Sequence, residues 1–369
     1  MKMIPVLLLF LAVMLAGHYY VCWHVYNILP FPLWGKVAAV ALMVLAFALS
    51  VLSVLPALDR VPFSLATAFY EIGTSWIFIF LYLLLAFAVL DLGRLLHIVP
   101  SSVLVNNVIG AALLVVVMLA VFVYGNMNYN SKHRESFSVE TAKAVDGRKI
   151  VLVSDLHLGY NNHRKEFARW VDMINAENPD LVLVAGDIID RSIEPLDEER
   201  VAEEFHRIKA PVVACLGNHE YLAGIESACR FYDEAGIILL RDSAVSFGNV
   251  TIVGRDDKSN ARRLSLAQIM QKNNVNADSS FVILLDHQPF NLEQAEQAGV
   301  DFQFSGHTHY GQVWPVSWIT DTIYEKAYGA HRRGNTFYYV SSGLGIWGGK
   351  YRIGTRSEYV VATLCAGGI

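Results

Sequence analysis

The 369-residue sequence predicts a bundle of about four transmembrane helices followed by an α/β domain. Hydrophobic residues make up 54% of the chain and charged residues only 17%, which is too apolar for an ordinary soluble protein. The charges are also unevenly distributed, because residues 1–130 contain only four basic and three acidic side chains. Beyond that region, short apolar runs alternate with amphipathic segments, as they do in layered α/β domains.

A transmembrane helix needs about 20 mostly apolar residues. Four stretches within residues 1–126 meet this requirement, and they cover approximately residues 3–25, 37–58, 72–90 and 103–124. Prolines lie at or between their ends, and tyrosine and tryptophan cluster there, as they do at membrane interfaces. A cleaved signal peptide is the alternative for the first stretch, although that stretch is long for the apolar region of such a peptide.

Four crossings would place both ends of the bundle on one side of the membrane. Basic residues are in slight excess on that side, with Lys2, Arg60, Lys132 and Arg134 against Lys36 and Arg94 on the other. The positive-inside rule therefore predicts a multi-pass protein of the inner, cytoplasmic membrane, with the bilayer as partner and the C-terminal domain in the cytoplasm. Four cysteines without paired spacing agree with a reducing compartment. The C-terminal domain contains no run of basic residues of the kind that binds nucleic acid, so a nucleic acid partner is not expected.

Residues 127–148 are polar and are predicted to be a linker to a domain formed by residues 149–369. In that domain the runs "KIVLVSD", "DLVLVAGD" and "PVVACLGN" are typical of buried strands. Segments with helical spacing separate these runs, so we expect strands and helices to alternate along the chain.

Polar residues follow the predicted strands at the point where each strand ends. They are Asp155 and His157, Asp187, Asn218 and His219, His287, and His307 and His309. The carboxyl ends of strands meet at one edge of an open α/β sheet, so these side chains are expected to converge. Alternation along an extended strand would turn Asp155 and His157 to the same side, and likewise His307 and His309. Glycines at positions 186, 217 and 306 would allow close approach of the backbone.

Each of these residues taken alone is more commonly a turn, cap or core residue. Their repetition at successive strand ends instead indicates a metal site. A mixture of His, Asp and Asn ligands without Cys suits manganese, iron or zinc. There are more ligands than one ion takes, which predicts two divalent ions about 3.5–4 Å apart with a bridging carboxylate.

The segments "SDLHLG", "AGDIID", "LGNHEY", "DHQP" and "GHTHYGQ" resemble, in order, five blocks of the calcineurin-like metallophosphoesterase family. The resemblance covers residues 149–364 and is greatest to a bacterial membrane-associated phosphodiesterase branch. It implies a layered β-sandwich flanked by helices. It also implies that Asp187 bridges two ions, the first held by Asp155, His157 and His309 and the second by Asn218, His287 and His307.

The same resemblance implies that His219 contacts phosphate and protonates the leaving oxygen, while hydroxide formed from a water between the ions attacks phosphorus. Glu220 follows His219 where many relatives have Asp, and we expect either carboxylate to orient the imidazole. Tyr310 stands where this branch often has Gly or Ala, so it is a candidate for contact with substrate, with a structural aromatic as an equal alternative.

Basic residues in two loops are further candidates for gripping a phosphate, although a solvated surface is the better interpretation of any one of them. They are Arg262 and Arg263 in one loop and Arg332 and Arg333 in the other. Trp314 and Trp318 could rest against a bilayer, while packing in the core is the more usual role of tryptophan.

Three functional hypotheses remain open. The first is a membrane-embedded two-metal phosphoesterase that hydrolyses a phosphodiester or pyrophosphate bond in a lipid-linked substrate. The resemblance implies UDP-diacylglucosamine as one candidate, because relatives in this superfamily hydrolyse it. This first hypothesis is favoured because four spans exceed what anchoring requires. The second is a membrane-tethered phosphodiesterase for soluble nucleotides. The third is a non-catalytic scaffold, which would be expected to have lost some of the ligands that this chain retains.

Overall fold

A computed structural model of the chain describes residues 3–145 and 147–367, with side chains from Leu11 onward. The chain forms two compact units, and the boundary between them lies between Gly125 and Asn126. The α/β unit therefore begins at residue 126 rather than at the predicted residue 149.

The first unit is helical, as predicted. Its long helices are α1 (Met3–Ile28), α2 (Leu33–Ser53), α3 (Phe63–Leu95) and α4 (Val108–Asn130), the last of which continues into the second unit. Helices α2, α3 and α4 are long and apolar enough to cross a membrane, with mean hydropathies of 2.3, 2.3 and 2.7. These three candidate spans indicate a membrane protein. The predicted first crossing lies on α1, where the side chains of residues 3–10 are outside the described part, and it stays a prediction.

Two six-stranded sheets form the second unit. The strand order is β1-β12-β2-β3-β4-β5 in the first sheet and β10-β11-β9-β8-β7-β6 in the second. The strands of the first sheet are β1 (His133–Thr141), β2 (Lys149–Val153), β3 (Leu181–Ala185), β4 (Val212–Cys215), β5 (Ile238–Leu239) and β12 (Glu358–Ala366). Those of the second are β6 (Ser243–Phe247), β7 (Val250–Gly254), β8 (Phe281–Leu285), β9 (Phe302–Ser305), β10 (Gly329–Arg333) and β11 (Thr336–Val340).

The main core lies between the two sheets because alternate strand residues face inward. Ile150 and Leu152 of β2 pack in one cluster with Ile283 of β8 and Phe302 and Phe304 of β9. Burying each such side chain contributes about 1.5–3 kcal/mol. This arrangement is the predicted layered β-sandwich.

Helices cover the outer faces of both sheets. They are α5 (Arg164–Ala176), α6 (Glu194–Glu198), α7 (Ala202–Phe205), α8 (Asn218–Ala223), α9 (Ile225–Glu234), α10 (Leu266–Lys272) and α11 (Glu293–Gln297). A further helix, α12 (Val316–Ile323), packs beside the turn His309–Gly311. Phe167 and Trp170 of α5 pack on Val151 of β2, for example, so the strands are buried on both sides. This explains why they appear in the sequence as continuous apolar runs.

The predicted linker over residues 127–148 is corrected by the structure, because it contains β1. This strand pairs in parallel with β12 along its whole length, from His133 opposite Glu358 to Thr141 opposite Ala366. Phe137 and Val139 pack in the main core, while the residues that alternate with them are exposed, namely Arg134, Ser136, Ser138 and Glu140. The segment appears polar because β1 is the edge strand of its sheet.

Candidate metal centre

Most of the residues that follow the strand ends come together at one edge of the sandwich. They form three overlapping groups in which one ligand atom of each member lies within 4.8 Å of the others. The groups are Asp155, His157 and His309; His157, Asp187 and His219; and Asp187, His287 and His307. Because the groups share His157 and Asp187, they form one continuous cluster, supplied by β2, β3, β4, β8 and β9.

The backbone at this cluster adopts a conformation that residues other than glycine rarely take. The φ angles lie between 44° and 71° at Asp155, His157, Asp187, His307 and His309. A left-handed residue of this kind costs roughly 1–3 kcal/mol and is typically found at functional sites. The expected alternation along an extended strand is therefore wrong for both pairs, Asp155 with His157 and His307 with His309. Strand β2 ends at Val153, and left-handed turns then direct the side chains of Asp155 and His157 into the cluster.

Glycine is required where the strand-end loops approach one another. A Cβ atom at Gly217 would lie 2.7 Å from the backbone nitrogen of Asp187, and one at Gly306 would lie 2.6 Å from Ser154 Oγ. Neither contact is sterically possible without displacing these neighbours. The close approach predicted from these glycines is confirmed at both positions.

One group has the geometry expected for a single cation. The Nε2 atoms of His157 and His309 lie 2.9 Å apart, and Asp155 Oδ1 lies 3.3 Å from His309 Nε2 and 3.9 Å from His157 Nε2. All three side chains are buried. Burial lowers the pKa of His309, and a neighbouring His157 cation would lower it further, so this imidazole is neutral and able to bind a metal.

A carboxylate behind His157 sets its orientation. Nδ1 of His157 lies 3.3 Å from Asp190 Oδ1, which is consistent with an Nδ1–H donor and a free lone pair on Nε2. Burial lowers the pKa of His157, but the carboxylates of Asp190 and Asp187 raise it by more, and the net pKa is raised. Such an environment favours a positive charge at the position of Nε2.

Two buried polar atoms without a hydrogen-bond partner in the described part of the chain lie in the group formed by Asp187, His287 and His307 and at Asn218, which follows Gly217 beside Asp187. His287 Nδ1 lies 2.7 Å from the carbonyl oxygen of Ala185, so its Nε2 faces Asp187 Oδ2 at 3.1 Å without hydrogen-bond geometry. Within residues 11–145 and 147–367, neither His287 Nε2 nor the buried Asn218 Oδ1 has a hydrogen-bond partner. Buried polar atoms are nearly always satisfied, so these two atoms fit a site that is completed by a cation. Burial and His287 lower the pKa of His307 to about 4, which keeps this imidazole neutral as well.

Asp187 lies between the two groups. Its Oδ1 accepts a hydrogen bond from the backbone N–H of His219 at 2.9 Å, and its Oδ2 lies 3.7 Å from His157 Nε2. Burial raises the pKa of this carboxyl, but His287 and His219 outweigh that effect, so the net pKa lies well below its usual value. An ionised carboxylate that lies between His157 and His287 is what two neighbouring cations would require.

His219 is anchored differently from the other histidines. Its Nδ1 is hydrogen-bonded to the backbone carbonyl of Asp190, and its ring packs edge-to-face on His157 with centroids 4.5 Å apart. The side chain is 13% exposed, whereas that of His157 is 1% exposed. His219 therefore has one nitrogen fixed and the other available at the more open side of the cluster.

Asp190 was not singled out from the sequence, although it contacts both His157 and His219. The available signal was its position three residues after Asp187 in "AGDIID". Glu220 has a different role from the one expected. Its carboxylate accepts hydrogen bonds from the backbone N–H groups of Asp187, Ile189 and Gly217, so it holds two strand-end loops together.

The candidate substrate contacts lie outside the cluster of ligands. Tyr310 follows His309, stacks on Tyr328 with centroids 5.1 Å apart, and places its hydroxyl 3.3 Å from Asp321 Oδ2. Its contact with substrate stays a prediction.

The two arginine loops differ in how far their charges are neutralised. Arg333 forms ion pairs with Glu296 at 2.7 Å and Glu325 at 2.9 Å, whereas the neighbouring Arg332 is exposed on β10. Arg263 lies 3.2 Å from Asp286. Contact of Arg332 or Arg333 with substrate stays a prediction, and Arg332 has the more accessible charge.

Comparison with known proteins relates this region to one family. The family model described as Calcineurin-like phosphoesterase matches residues 148–311. An uncharacterized metallophosphoesterase from Campylobacter jejuni is 30% identical over 67% of this chain and 68% of its own length. One from Aquifex aeolicus is 31% identical over 62% of this chain and 90% of its own. A transmembrane protein with metallophosphoesterase domain from Danio rerio is 31% identical over 58% of this chain and 53% of its own. The chain thus spans between about half and nine-tenths of the length of these relatives.

Proposed function

The chain belongs to the calcineurin-like metallophosphoesterase family of metal-dependent phosphoester hydrolases, and on this premise we propose that its metal centre hydrolyses a phosphodiester or pyrophosphate bond. The observation that supports this most directly is the buried Asn218 Oδ1, which has no hydrogen-bond partner among the described residues, together with His287 Nε2, which faces the ionised Asp187 at 3.1 Å. Asp155, His157 and His309 would hold one divalent ion, and Asn218, His287 and His307 the other. Asp187 would bridge them.

Two divalent ions, such as manganese, iron or zinc, would neutralise the phosphate oxygens and lower the pKa of an attacking water. The chain contributes strand-end loops that fix the positions of the ligands. Glu220 and the left-handed turns hold these loops in place. Because the His and Asp ligand atoms of each group already lie within 4.8 Å of one another, little reorganisation of these side chains is needed on binding.

His219 is proposed to supply the proton to the leaving oxygen. With Nδ1 tied to the carbonyl of Asp190, only Nε2 can carry that proton to a substrate. Asp190 acts as a positioning residue, because it also contacts His157. General acids placed in this way typically contribute about 10²–10⁴-fold to the rate.

The experiment that tests this function uses the full-length chain in nanodiscs. Metal content is measured after purification, and turnover of a model phosphodiester is measured with manganese and after chelation. We expect close to two ions per chain and loss of turnover on chelation. Turnover that persists without metal, or a protein that binds no divalent ion, would contradict the proposal.

We propose a lipid-linked phosphodiester or pyrophosphate, with UDP-diacylglucosamine as a candidate, as the substrate class. Beyond the candidate spans, the support is an apolar surface beside the turn that carries His309. Trp314 and Trp318 are 44% and 65% exposed and pack edge-to-face, and Ile319 and Ile323 of α12 are also exposed. Aromatic and aliphatic side chains of this kind favour contact with acyl chains or a membrane interface.

A soluble nucleotide is the alternative substrate, and Trp318→Ser separates the two. We expect this variant to hydrolyse a lipid-linked substrate in vesicles more slowly than the wild type, with an unchanged rate on a soluble diester. Faster turnover of a nucleotide than of the lipid by the wild type would favour the alternative.

The proposed orientation, with the α/β unit in the cytoplasm, is testable by adding a membrane-impermeant thiol reagent to intact cells expressing a Lys326→Cys variant, which should not be labelled.

A further inference from the structure

The last turn of α4, residues 126–130, is part of the α/β unit and makes hydrogen bonds inside it. We call this turn the α4 end. Asn128 Nδ2 donates to the carbonyl oxygens of Arg352 at 2.9 Å and Thr355 at 2.7 Å, and Asn126 Nδ2 donates to that of Lys350 at 3.0 Å. The α4 end therefore holds the loop between β11 and β12.

Tyr129 ties the same turn to a second loop. It is fully buried, and its hydroxyl lies 2.5 Å from Glu166 Oε1 and 2.9 Å from Asn162 Oδ1. Lys132 Nζ lies 3.5 Å from the centre of the tyrosine ring, and Lys350 Nζ lies 2.8 Å from the other oxygen of Glu166. The buried carboxylate is thus neutralised, and the tyrosine is fixed from both sides.

Asn162 connects Tyr129 to the loop that carries His157. Its Nδ2 lies 3.0 Å from each of three carbonyl oxygens, those of Leu156, His157 and Ile346. The left-handed turn that carries His157 is therefore held by a side chain that Tyr129 contacts directly.

Arg352 holds the backbone of His309 in place, as Asn162 holds that of His157. Its guanidinium is completely buried and donates to the carbonyl oxygen of His309 at 2.8 Å and to that of Gly345 at 2.8 Å. The guanidinium also lies 3.4 Å from His309 Nδ1. The backbone of Arg352 is in turn the acceptor for Asn128.

We propose that Tyr129 and Asn128 of the α4 end are positioning residues for the metal position formed by Asp155, His157 and His309. Tyr129 acts through Asn162 on His157, and Asn128 acts through Arg352 on His309. The inference rests on the metal assignment under the proposed function, and it concerns one of the two positions. Of the second position's ligands, His287 is instead held by the carbonyl oxygen of Ala185 on β3.

The expected loss of metal affinity depends on how many contacts separate each residue from a metal ligand. Groups that contact a metal ligand directly change metal affinity by about 10–100-fold when removed. Tyr129 and Asn128 are one contact further away, so we expect a loss of about 3–10-fold for each at the position they support.

The test measures manganese binding to the full-length chain in nanodiscs by titration and by electron paramagnetic resonance. The variants are Tyr129→Phe, which keeps the buried ring, and Asn128→Ala. Asn130→Ala is the matched control, because Asn130 lies in the same turn and bonds to Asn126 within it. Thermal unfolding of the metal-free variants shows whether each remains folded.

We expect both variants to bind one manganese ion about 3–10-fold more weakly while the other ion binds as in the wild type, and to regain wild-type turnover at saturating manganese. Asn130→Ala should match the wild type. Wild-type affinity for both ions in Tyr129→Phe and Asn128→Ala, or equal weakening of both, would overturn the inference. Failure of the wild type itself to bind two ions would instead contradict the proposed function.

Discussion

Replacing His219 by alanine separates acid catalysis from metal binding. In the proposed assignment His219 holds no ion, so the variant should keep both metals. Loss of a general acid slows the reaction by about 10²–10⁴-fold, equivalent to about 3–5 kcal/mol of barrier. The full effect is expected because Nδ1 of His219 is fixed on Asp190 and leaves a single nitrogen to carry the proton.

Two substrates make the assay specific. A diester with an alkyl leaving group needs protonation of the departing oxygen, whereas one with a 4-nitrophenyl group leaves readily as an anion. We expect His219→Ala to lose most of its turnover on the alkyl diester and far less on the nitrophenyl diester. His206→Ala is the matched control, since His206 is an exposed histidine that contacts the carbonyl oxygen of Glu234 away from the cluster.

Two results would refute this reasoning. If His219→Ala lost one metal ion, His219 would be a ligand, as its place in a group with His157 and Asp187 allows. If turnover of both diesters fell by the same factor with metals intact, His219 would bind phosphate without donating a proton.

Three further predictions concern the bridge, the packing of the loops and the edge of the first sheet. Asp187→Ala should lose both ions and nearly all turnover, and metal analysis showing two bound ions would contradict its bridging role. Gly217→Ala should lower the free energy of unfolding by about 1–3 kcal/mol through overpacking and also weaken metal binding, with a thermal scan and a metal titration as measurements. Glu177→Gln should destabilise the fold by at most about 1 kcal/mol. The hydrogen bond from Arg134 lowers the pKa of Glu177 from 4.5 to about 2, so its contribution is present above pH 4.5 and is lost as the pH falls through about 2. Denaturation curves of wild type and variant should therefore converge in acid, and a constant difference would contradict this cause.

The identity of the ligands could be predicted from the sequence, but their geometry could not. Asp155, His157, His307 and His309 were recognisable as polar residues at the ends of apolar runs. The alternation of an extended strand was the wrong explanation, because these residues adopt left-handed backbone angles. Such angles depend on hydrogen bonds between loops, for example from the N–H of His157 to the carbonyl of Asp187, which no local pattern reveals.

The supporting residues were missed for a related reason. Arg352 bonds to His309 across 43 residues of sequence, and Tyr129 bonds to Asn162 across 33. Strand β1 was missed because its many polar and charged residues resemble a solvated connector. Its partner, β12, comes more than two hundred residues later, so the pairing is a product of the tertiary fold.

The position of β12 has a consequence for synthesis of the chain. This strand lies inside the first sheet, between β1 and β2, although it is the last of the twelve described strands to be translated. Until it emerges from the ribosome, β1 and β2 each expose an unpaired edge while the other strands are already available to fold. The nascent α/β unit therefore stays open to strand-mediated aggregation until late in translation, and chaperones that shield such edges should matter most at that stage.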